Sequence, residues 1–159
     1  PATEGAAVVA EAAEAAAAAA SEEGAMETRT ASCSCGQLRI EVAAEPNGVG
    51  ICHCLACQRR TGSAFAAVAG FPLPYTVNGQ STTYVRTGDA GCRFVYHFCP
   101  VCGTTLFHTE DDVDDEVFVA VGGFADPGFP APQISVYDSR RHPWVQLPPG
   151  VKAFERDPG

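Results

Sequence analysis

The sequence predicts an all-β fold of several small antiparallel sheets. Apolar residues recur in short stretches, and some of these alternate with polar residues, as they do in half-buried strands. The 16 glycines and 12 prolines place turn signals about every ten residues. No stretch shows the strand–helix–strand rhythm of a parallel α/β protein. These observations favour short strands joined by tight turns.

The N-terminal residues differ in composition from the rest of the chain. Residues 1–27 are rich in Ala and Glu and contain almost nothing large to bury. Ala is the strongest helix former, so a helix over about residues 6–20 is plausible, although it has little to pack against. We therefore predict a flexible or helical tail over residues 1–27 and a single domain over residues 28–159.

The first half of the domain contains two clear strand signals. Leu38, Ile40 and Val42 alternate with polar residues, which is typical of a half-buried strand. Residues 64–71 are mostly apolar and predict a buried strand. Between them, residues 58–62 resemble one helical turn that ends at Gly62. Asn78-Gly79 indicates a turn.

The second half predicts a series of hairpins. Strands are expected over residues 82–86, 93–98, 104–108 and 117–121, with a last strand over residues 134–137. The acidic residues between 111 and 116 lack the glycine and the carboxylate spacing of a calcium loop. We therefore expect a solvated hairpin loop there.

Charge and hydropathy exclude several classes of protein. The net charge is −9, and five Glu in residues 1–25 carry more than half of it. A mildly acidic domain is a poor partner for nucleic acid, because it has few cations to release counterions. No apolar run is long enough for a transmembrane helix, and the basic region of a secretory signal is missing. We expect a cytoplasmic protein that binds neither nucleic acid nor membrane.

Seven of the eight cysteines lie in three clusters. In a secreted chain such a count would indicate disulfides, and a disulfide scaffold is one alternative. Without a secretory signal, clustered thiols more often bind metal. Cys-x-Cys pairs also close small, strained rings when oxidised. The clusters therefore favour a zinc protein.

The first and third clusters can complete one tetrahedral site. Cys99 and Cys102 lie in a Cys-x-x-Cys-Gly turn, which places two sulfurs on one side of a tight loop. They need two further thiols, and Cys33 and Cys35 are a pair with no other role. We predict a closed, structural zinc site formed by Cys33, Cys35, Cys99 and Cys102.

The second cluster has three thiols, Cys52, Cys54 and Cys57. Three protein ligands with one open position are typical of a catalytic zinc site. Three thiolates leave the metal a weak Lewis acid, so the open position suits an incoming thiol better than an oxygen. The sequence thus predicts two zinc ions per chain, of which the second is catalytic.

One alternative is that both zinc ions are structural. A fourth ligand for the second site could be His53, or Cys92 if the fold brings it near. His53 lies between two cysteines, and in an extended segment its side chain points away from theirs. Cys92 is isolated in sequence and is more typical of a small buried apolar residue. His97, His108 and His142 are expected to be ordinary half-exposed residues.

The clusters and their surroundings resemble the glutathione-dependent formaldehyde-activating enzymes, a family that includes the centromere-protein-V-like proteins. The resemblance covers about residues 30–157. Its motifs are Ser32-Cys33-Ser34-Cys35-Gly36, the stretch from Cys52 through Cys57 to Phe65, Phe98-Cys99-Pro100-Val101-Cys102-Gly103, Val121-Gly122-Gly123-Phe124, and Pro143-Trp144.

The resemblance implies one structural and one catalytic zinc, with the same division of ligands. It also implies a carbon–sulfur lyase that joins a thiol, glutathione or a similar molecule, to formaldehyde or a related small aldehyde. The residues expected to bind the substrate follow the second cluster; they are Arg59, Arg60, Thr61, Gly62 and Ser63. The alternative is a non-catalytic zinc module that binds a partner, as the centromere branch suggests. The sequence does not indicate an oligomeric state.

Overall fold

A computed structural model describes residues 27–158, which form eleven strands and one short helix. The strands are β1 (Thr28–Ser32), β2 (Arg39–Ala43), β3 (Gly48–Cys52), β4 (Ala66–Pro72), β5 (Thr76–Asn78), β6 (Thr82–Thr87), β7 (Arg93–Phe98), β8 (Thr105–Glu110), β9 (Val113–Ala120), β10 (Ile134–Val136) and β11 (Lys152–Ala153). The helix α1 (Leu55–Thr61) follows β3. Two 3₁₀ turns cover Val121–Phe124 and Asp138–Arg140.

The strands form two sheets. The small sheet has the order β1-β2-β5, and the large sheet has the order β11-β10-β3-β4-β9-β8-β7-β6. All pairs are antiparallel except β3–β10 and β10–β11, which are parallel. The all-β prediction is confirmed. The parallel pairs were not predicted. β3 and β10 are far apart in sequence, and the residues of neither strand indicate which strand it pairs with.

The hydrophobic core lies between the two sheets. Register places Ala69 opposite Val119 and Phe71 opposite Val117, so that all four side chains face the small sheet. They pack in one cluster with Ile40 and other buried residues of the small sheet. Burying a side chain of this size contributes about 1.5–3 kcal/mol, so this interface is a major source of stability.

The opposite face of the large sheet carries different residues. Successive residues of a strand alternate between the two faces of the sheet. Phe118 therefore points away from the core, and its neighbours across the sheet, Gly70 and Gly48, lie on the same face. Tyr96 and His108 lie on the same side of β7 and β8. This second face and the segments around β10 form a cleft of about 750 Å³.

Several local predictions need correction. The acidic run was predicted to be a hairpin loop, but only Asp111 and Asp112 form the turn, and Asp114, Asp115 and Glu116 belong to β9. Their strand is held by antiparallel pairing on both sides, which overrides the weak strand propensity of acidic residues. The helical turn begins earlier than predicted, at Leu55. β1, β3, β5 and β11 were not predicted.

The predicted tail lies almost entirely outside the described residues, so the division of the chain at residue 28 stays a prediction. Within residues 27–158, no helix has both the length and the apolar character needed to cross a membrane.

Candidate metal centres and active-site cleft

The outer cysteines meet where turns from the two sheets touch. Cys33 and Cys35 lie in the connection between β1 and β2, and Cys99 and Cys102 lie in the connection between β7 and β8. The four sulfur atoms all lie within 4.8 Å of one another. The Cys33–Cys35 sulfur distance is 3.5 Å and the Cys35–Cys99 distance is 3.7 Å. No disulfide is formed.

Hydrogen-bond donors surround this outer cluster. The backbone N–H of Leu38 donates to the sulfur of Cys33 at 3.3 Å, and the side-chain amide of Gln37 donates to that of Cys99 at 3.0 Å. Hydrogen bonds from the side chain and backbone of Thr104 lower the pKa of Cys102 to about 5. Such donors favour the thiolate, which is the form that binds metal. The cluster therefore fits a closed tetrahedral zinc site.

The central cysteines are positioned by the end of β3 and the start of α1. Cys52 is opposite Ala66 of β4 and Val136 of β10. Cys54 caps the helix, and its sulfur accepts the backbone N–H of Cys57 at 3.3 Å. The three sulfur atoms lie within 4.8 Å of one another, and we call these residues the trio.

The trio's thiols perturb one another strongly. Hydrogen bonds with Cys54 and Cys57 raise the pKa of Cys52, while hydrogen bonds from Cys52 and Cys57 lower the pKa of Cys54 to about 2. Without a metal, one thiolate is thus stabilised by two thiols that keep their protons. Deprotonation of all three thiols would place three negative charges close together and would need a compensating cation. Three sulfur ligands are a donor set that zinc accepts. The residues present therefore fit a zinc ion.

Among the described residues, no fourth side chain joins the trio. His53, the nearest candidate in sequence, is fully buried and packs edge-on against Phe65, with a distance of 5.7 Å between ring centroids. Burial lowers its pKa, so the ring is neutral. Neither ring nitrogen has a hydrogen-bond partner. The trio thus offers three possible metal ligands and lines the cleft.

Arg60 connects the trio to the aromatic wall of the cleft. Its Nη2 lies 3.7 Å from the sulfur of Cys57, and its guanidinium carbon lies 4.4 Å from the ring centroid of Tyr96. A cation over an aromatic face is attractive, so the ring holds the guanidinium beside the sulfur. Burial raises the pKa of Tyr96 to about 12, and the charge of Cys57 adds to the rise.

Tyr137 packs against the buried cluster that contains Cys54 and Cys57 of the trio. It follows β10 and has a φ of 55°, in the left-handed region that a bulky residue adopts only at some cost. Burial raises its pKa. Both tyrosines that flank the trio therefore keep their protons at neutral pH.

A comparison with protein-family models matches residues 28–140 to the family described as glutathione-dependent formaldehyde-activating enzyme. The match covers most of the described chain and includes both cysteine clusters. The chain belongs to this family. A comparison with curated proteins gives no match.

A solved structure, titled as the crystal structure of a Rhodobacter sphaeroides protein, is similar to this member of the formaldehyde-activating family. Sequence identity is 28%, the alignment covers 59% of this chain and 85% of that chain, and the TM-score is 0.45.

In this family member, the predicted substrate-binding residues are dispersed around α1. Arg60 lines the cleft, and together with Thr61 it also lines a second hollow of about 370 Å³. The Thr61 hydroxyl donates to the backbone oxygen of Cys57 at 2.9 Å. Arg59, Gly62 and Ser63 are exposed and line neither hollow. Substrate binding by all five residues stays a prediction.

The remaining histidines and Cys92 lie outside the cysteine clusters, and two of these residues, His108 and Cys92, line the cleft. His108 was expected to be half-exposed, but it is 8% exposed and stacks on Phe118. His97 stacks on Phe107 of the core, and His142 hydrogen-bonds to Gln58 of α1. Cys92 is only partly buried and belongs to neither cysteine cluster.

The cleft is also lined by Tyr96, Tyr137, Arg86 and further aromatic residues, none of which the sequence marks as part of a site. These residues are separated along the chain, and only strand register and the return of β10 bring them to the trio. The one local signal is Tyr137, which follows the short apolar stretch of β10. A tyrosine after an apolar stretch is too common a pattern to indicate a site.

Proposed function

We propose that this protein is a zinc-dependent carbon–sulfur lyase that resembles S-(hydroxymethyl)glutathione synthase. It joins a thiol, glutathione or a similar molecule, to formaldehyde or a related small aldehyde. The observation that carries the proposal is the trio: three thiols that no fourth possible ligand from residues 27–158 joins, in the lining of a cleft of about 750 Å³. Membership of the family supports the same chemistry.

The proposed cofactor is zinc, two ions per chain. Cys33, Cys35, Cys99 and Cys102 would hold the structural ion, and Cys52, Cys54 and Cys57 the catalytic one. Zinc in the second site would lower the pKa of a thiol that takes the open ligand position. In the reaction, the S–H bond breaks, a sulfur–carbon bond forms, and the proton ends on the former carbonyl oxygen.

The chain's own residues supply charge and protons around the reacting atoms. Arg60, 3.7 Å from the sulfur of Cys57, offsets the negative charge of the thiolates and presents N–H donors to an aldehyde oxygen. Tyr137, packed against the trio with a raised pKa, holds a proton that a developing alkoxide can accept. Arg60 and Thr61 also line the second hollow, where a carboxylate of the thiol substrate can bind.

The decisive test is Cys54→Ser. Serine removes one trio ligand but keeps the residue size, and serine is also a good helix cap. We expect the variant to lose one of two zinc ions by metal analysis and to catalyse glutathione–formaldehyde exchange at no more than the uncatalysed rate. Exchange must be measured at equilibrium, for example by NMR exchange spectroscopy, because the adduct also forms without a catalyst.

The control is Thr76→Ser, a conservative change at an exposed position of β5 that lines neither hollow. It should keep two zinc ions and the parent exchange rate. A Cys54→Ser protein that exchanges as fast as the parent would refute the proposal. A parent protein with two zinc ions and no accelerated exchange would instead indicate the non-catalytic zinc module.

A further inference from the structure

One wall of the cleft is a row of aromatic rings that runs across four strands. Tyr84, Tyr96, His108 and Phe118 are directly opposite one another on β6, β7, β8 and β9. The ring centroids are separated by 6.4, 4.9 and 5.2 Å in that order. Phe94 packs beside Tyr96 and His108, at 6.1 and 5.9 Å. The last three rings of the row and Phe94 line the cleft.

Beyond Phe118 the row continues with glycine. Gly70 of β4 is opposite Phe118, and Gly48 of β3 is opposite Gly70, so neither position adds a side chain to the cleft floor. A methyl group at Gly70 would lie 2.9 Å from the Glu116 carboxylate and 3.3 Å from the Phe118 ring, whereas one at Gly48 would meet no atom within 4 Å. The open part of the floor is therefore at Gly48.

The ring row starts beside the reacting position. Arg60 contacts both the sulfur of Cys57 and the ring of Tyr96, so these two groups are separated by the width of one guanidinium. Because Arg60 covers the Tyr96 ring, a substituent on a carbon bonded to a sulfur at the trio has the rings of His108 and Phe118 left to stack on. Formaldehyde has no substituent and would leave this space to water.

The charge of the cleft limits what the substituent can be. Its lining includes five carboxylates and two guanidinium groups; the carboxylates are those of Asp89, Glu110, Asp112, Glu116 and Asp157. Arg60 already lies between the trio and Tyr96, and Arg86 pairs with Asp89 at 3.8 Å. An anionic substituent would meet net repulsion, and glutathione has more carboxylates than ammonium groups. The second hollow, which has Arg60 and no carboxylate, suits glutathione better.

We propose that the aldehyde substrate carries a flat, uncharged aromatic ring that stacks in this cleft. The inference rests on the proposed thiol–aldehyde addition at the trio. The thiol sulfur bonds to the carbonyl carbon of an aryl aldehyde, the carbon–oxygen double bond becomes single, and the thiol proton passes to the oxygen. The cleft volume lies within the range of about 300–1,000 Å³ that is typical of ligand pockets.

Ring binding can be measured without turnover. Benzyl alcohol is an unreactive probe, and NMR of the full-length, zinc-loaded protein reports on the rings of His108 and Phe118. We expect benzyl alcohol to shift these resonances at a concentration about tenfold lower than cyclohexylmethanol, which is not flat and cannot stack. The anionic 4-(hydroxymethyl)benzoate should bind more weakly than benzyl alcohol. Equal responses to all three probes, or none, would overturn the inference.

A variant can fill the cleft without altering the trio. Gly48→Leu places a side chain into open space on the floor, at a position whose φ is not in the left-handed region. We expect it to weaken benzyl alcohol binding about tenfold, because one stacking contact contributes on the order of that factor. Ala131→Leu, at an exposed position outside the cleft, is the control and should bind as the parent does. Unchanged binding in a folded Gly48→Leu protein would overturn the inference.

Equilibrium exchange with glutathione then separates this inference from the proposed function. We expect the parent to exchange benzaldehyde as well as formaldehyde, and Gly48→Leu to slow only the benzaldehyde exchange. Formaldehyde exchange without benzaldehyde exchange overturns the ring inference and leaves the proposed function standing. Failure with both aldehydes refutes the proposed function itself.

Discussion

At the scale of single residues, the surroundings of each cysteine decide its chemistry. The sulfur of Cys102 accepts hydrogen bonds from Thr104, whereas the thiol of Cys92 donates to Asp112 at 2.9 Å. Burial, the hydrogen bond to Asp112 and the charge of Glu110 raise the pKa of Cys92 to about 11. A thiol with this pKa is almost wholly protonated at pH 8, and only the thiolate is a good nucleophile.

We therefore predict that Cys92 reacts slowly with iodoacetamide at pH 8 in the zinc-loaded protein. Asp112→Asn removes the neighbouring charge, lowers the pKa of the thiol and should speed alkylation severalfold. Asp114→Asn, an exposed acid of β9, is the control and should leave the rate unchanged. Mass spectrometry of the Cys92 peptide gives the rates, and identical rates in all three proteins would contradict the prediction.

At the scale of elements, the turn after β5 supports the outer cluster. Gly79 has a φ of +92°, and a methyl group there would lie 1.8 Å from the backbone oxygen of Gln37. Gln37 in turn hydrogen-bonds to the backbone of Gln80 in both directions and donates to the sulfur of Cys99. The small sheet, this turn and the outer cluster thus share one network of hydrogen bonds.

A comparison of Gly79→Ala with Gly91→Ala separates the cost of losing this network from the cost of backbone strain alone. Gly91 also has a positive φ, +95°, but nothing lies within 4 Å of an added methyl group. Gly91→Ala should lower the free energy of unfolding by roughly 1–3 kcal/mol, the cost of the conformation alone. Gly79→Ala should cost about 1–3 kcal/mol more, because the backbone must move. Urea denaturation gives both values, and equal losses would contradict the role of the Gln37 contact.

The grouping of the cysteines into clusters could be predicted from the sequence because most of its signal is local. Cys99 and Cys102 lie three residues apart and need only a turn, and Cys52, Cys54 and Cys57 need only a strand end and a helix start.

The ring row could not be predicted in this way. Tyr96, His108 and Phe118 become neighbours only through the register of three strands, and a shift of one residue would turn each ring to the other face. The parallel return of β10 that brings Tyr137 to the trio is equally non-local.

At the scale of the whole molecule, the outer cluster joins the two sheets next to the hydrophobic core, in which Cys33 and Cys99 are buried. The thiols come from the turn between β1 and β2 and the turn between β7 and β8. Structural zinc binding provides roughly 10–16 kcal/mol in finger peptides. Here the core between the sheets supplies part of the stability, so loss of this ion should destabilise the fold rather than abolish it.

We predict that Cys35→Ser loses one zinc ion and lowers the midpoint of thermal unfolding by on the order of 10 °C, since each kcal/mol shifts it by about 2–4 °C in a chain of this size. Cys54→Ser should lose one zinc ion with a much smaller shift, because the trio links only neighbouring elements. Calorimetry with metal analysis compares the two. Equal shifts would contradict the division into structural and catalytic sites.

The spacing of the two clusters also has a consequence for biosynthesis. The trio lies within six consecutive residues, whereas Cys35 and Cys99 are 64 residues apart. As the chain leaves the ribosome, all three central thiols emerge together, and short loops close at low entropic cost. Cys33 and Cys35 can complete their site only after the β7–β8 hairpin, which carries Cys99 and Cys102, has been synthesised. We expect the trio to capture metal first and the outer site to form last, so that its completion marks the end of folding.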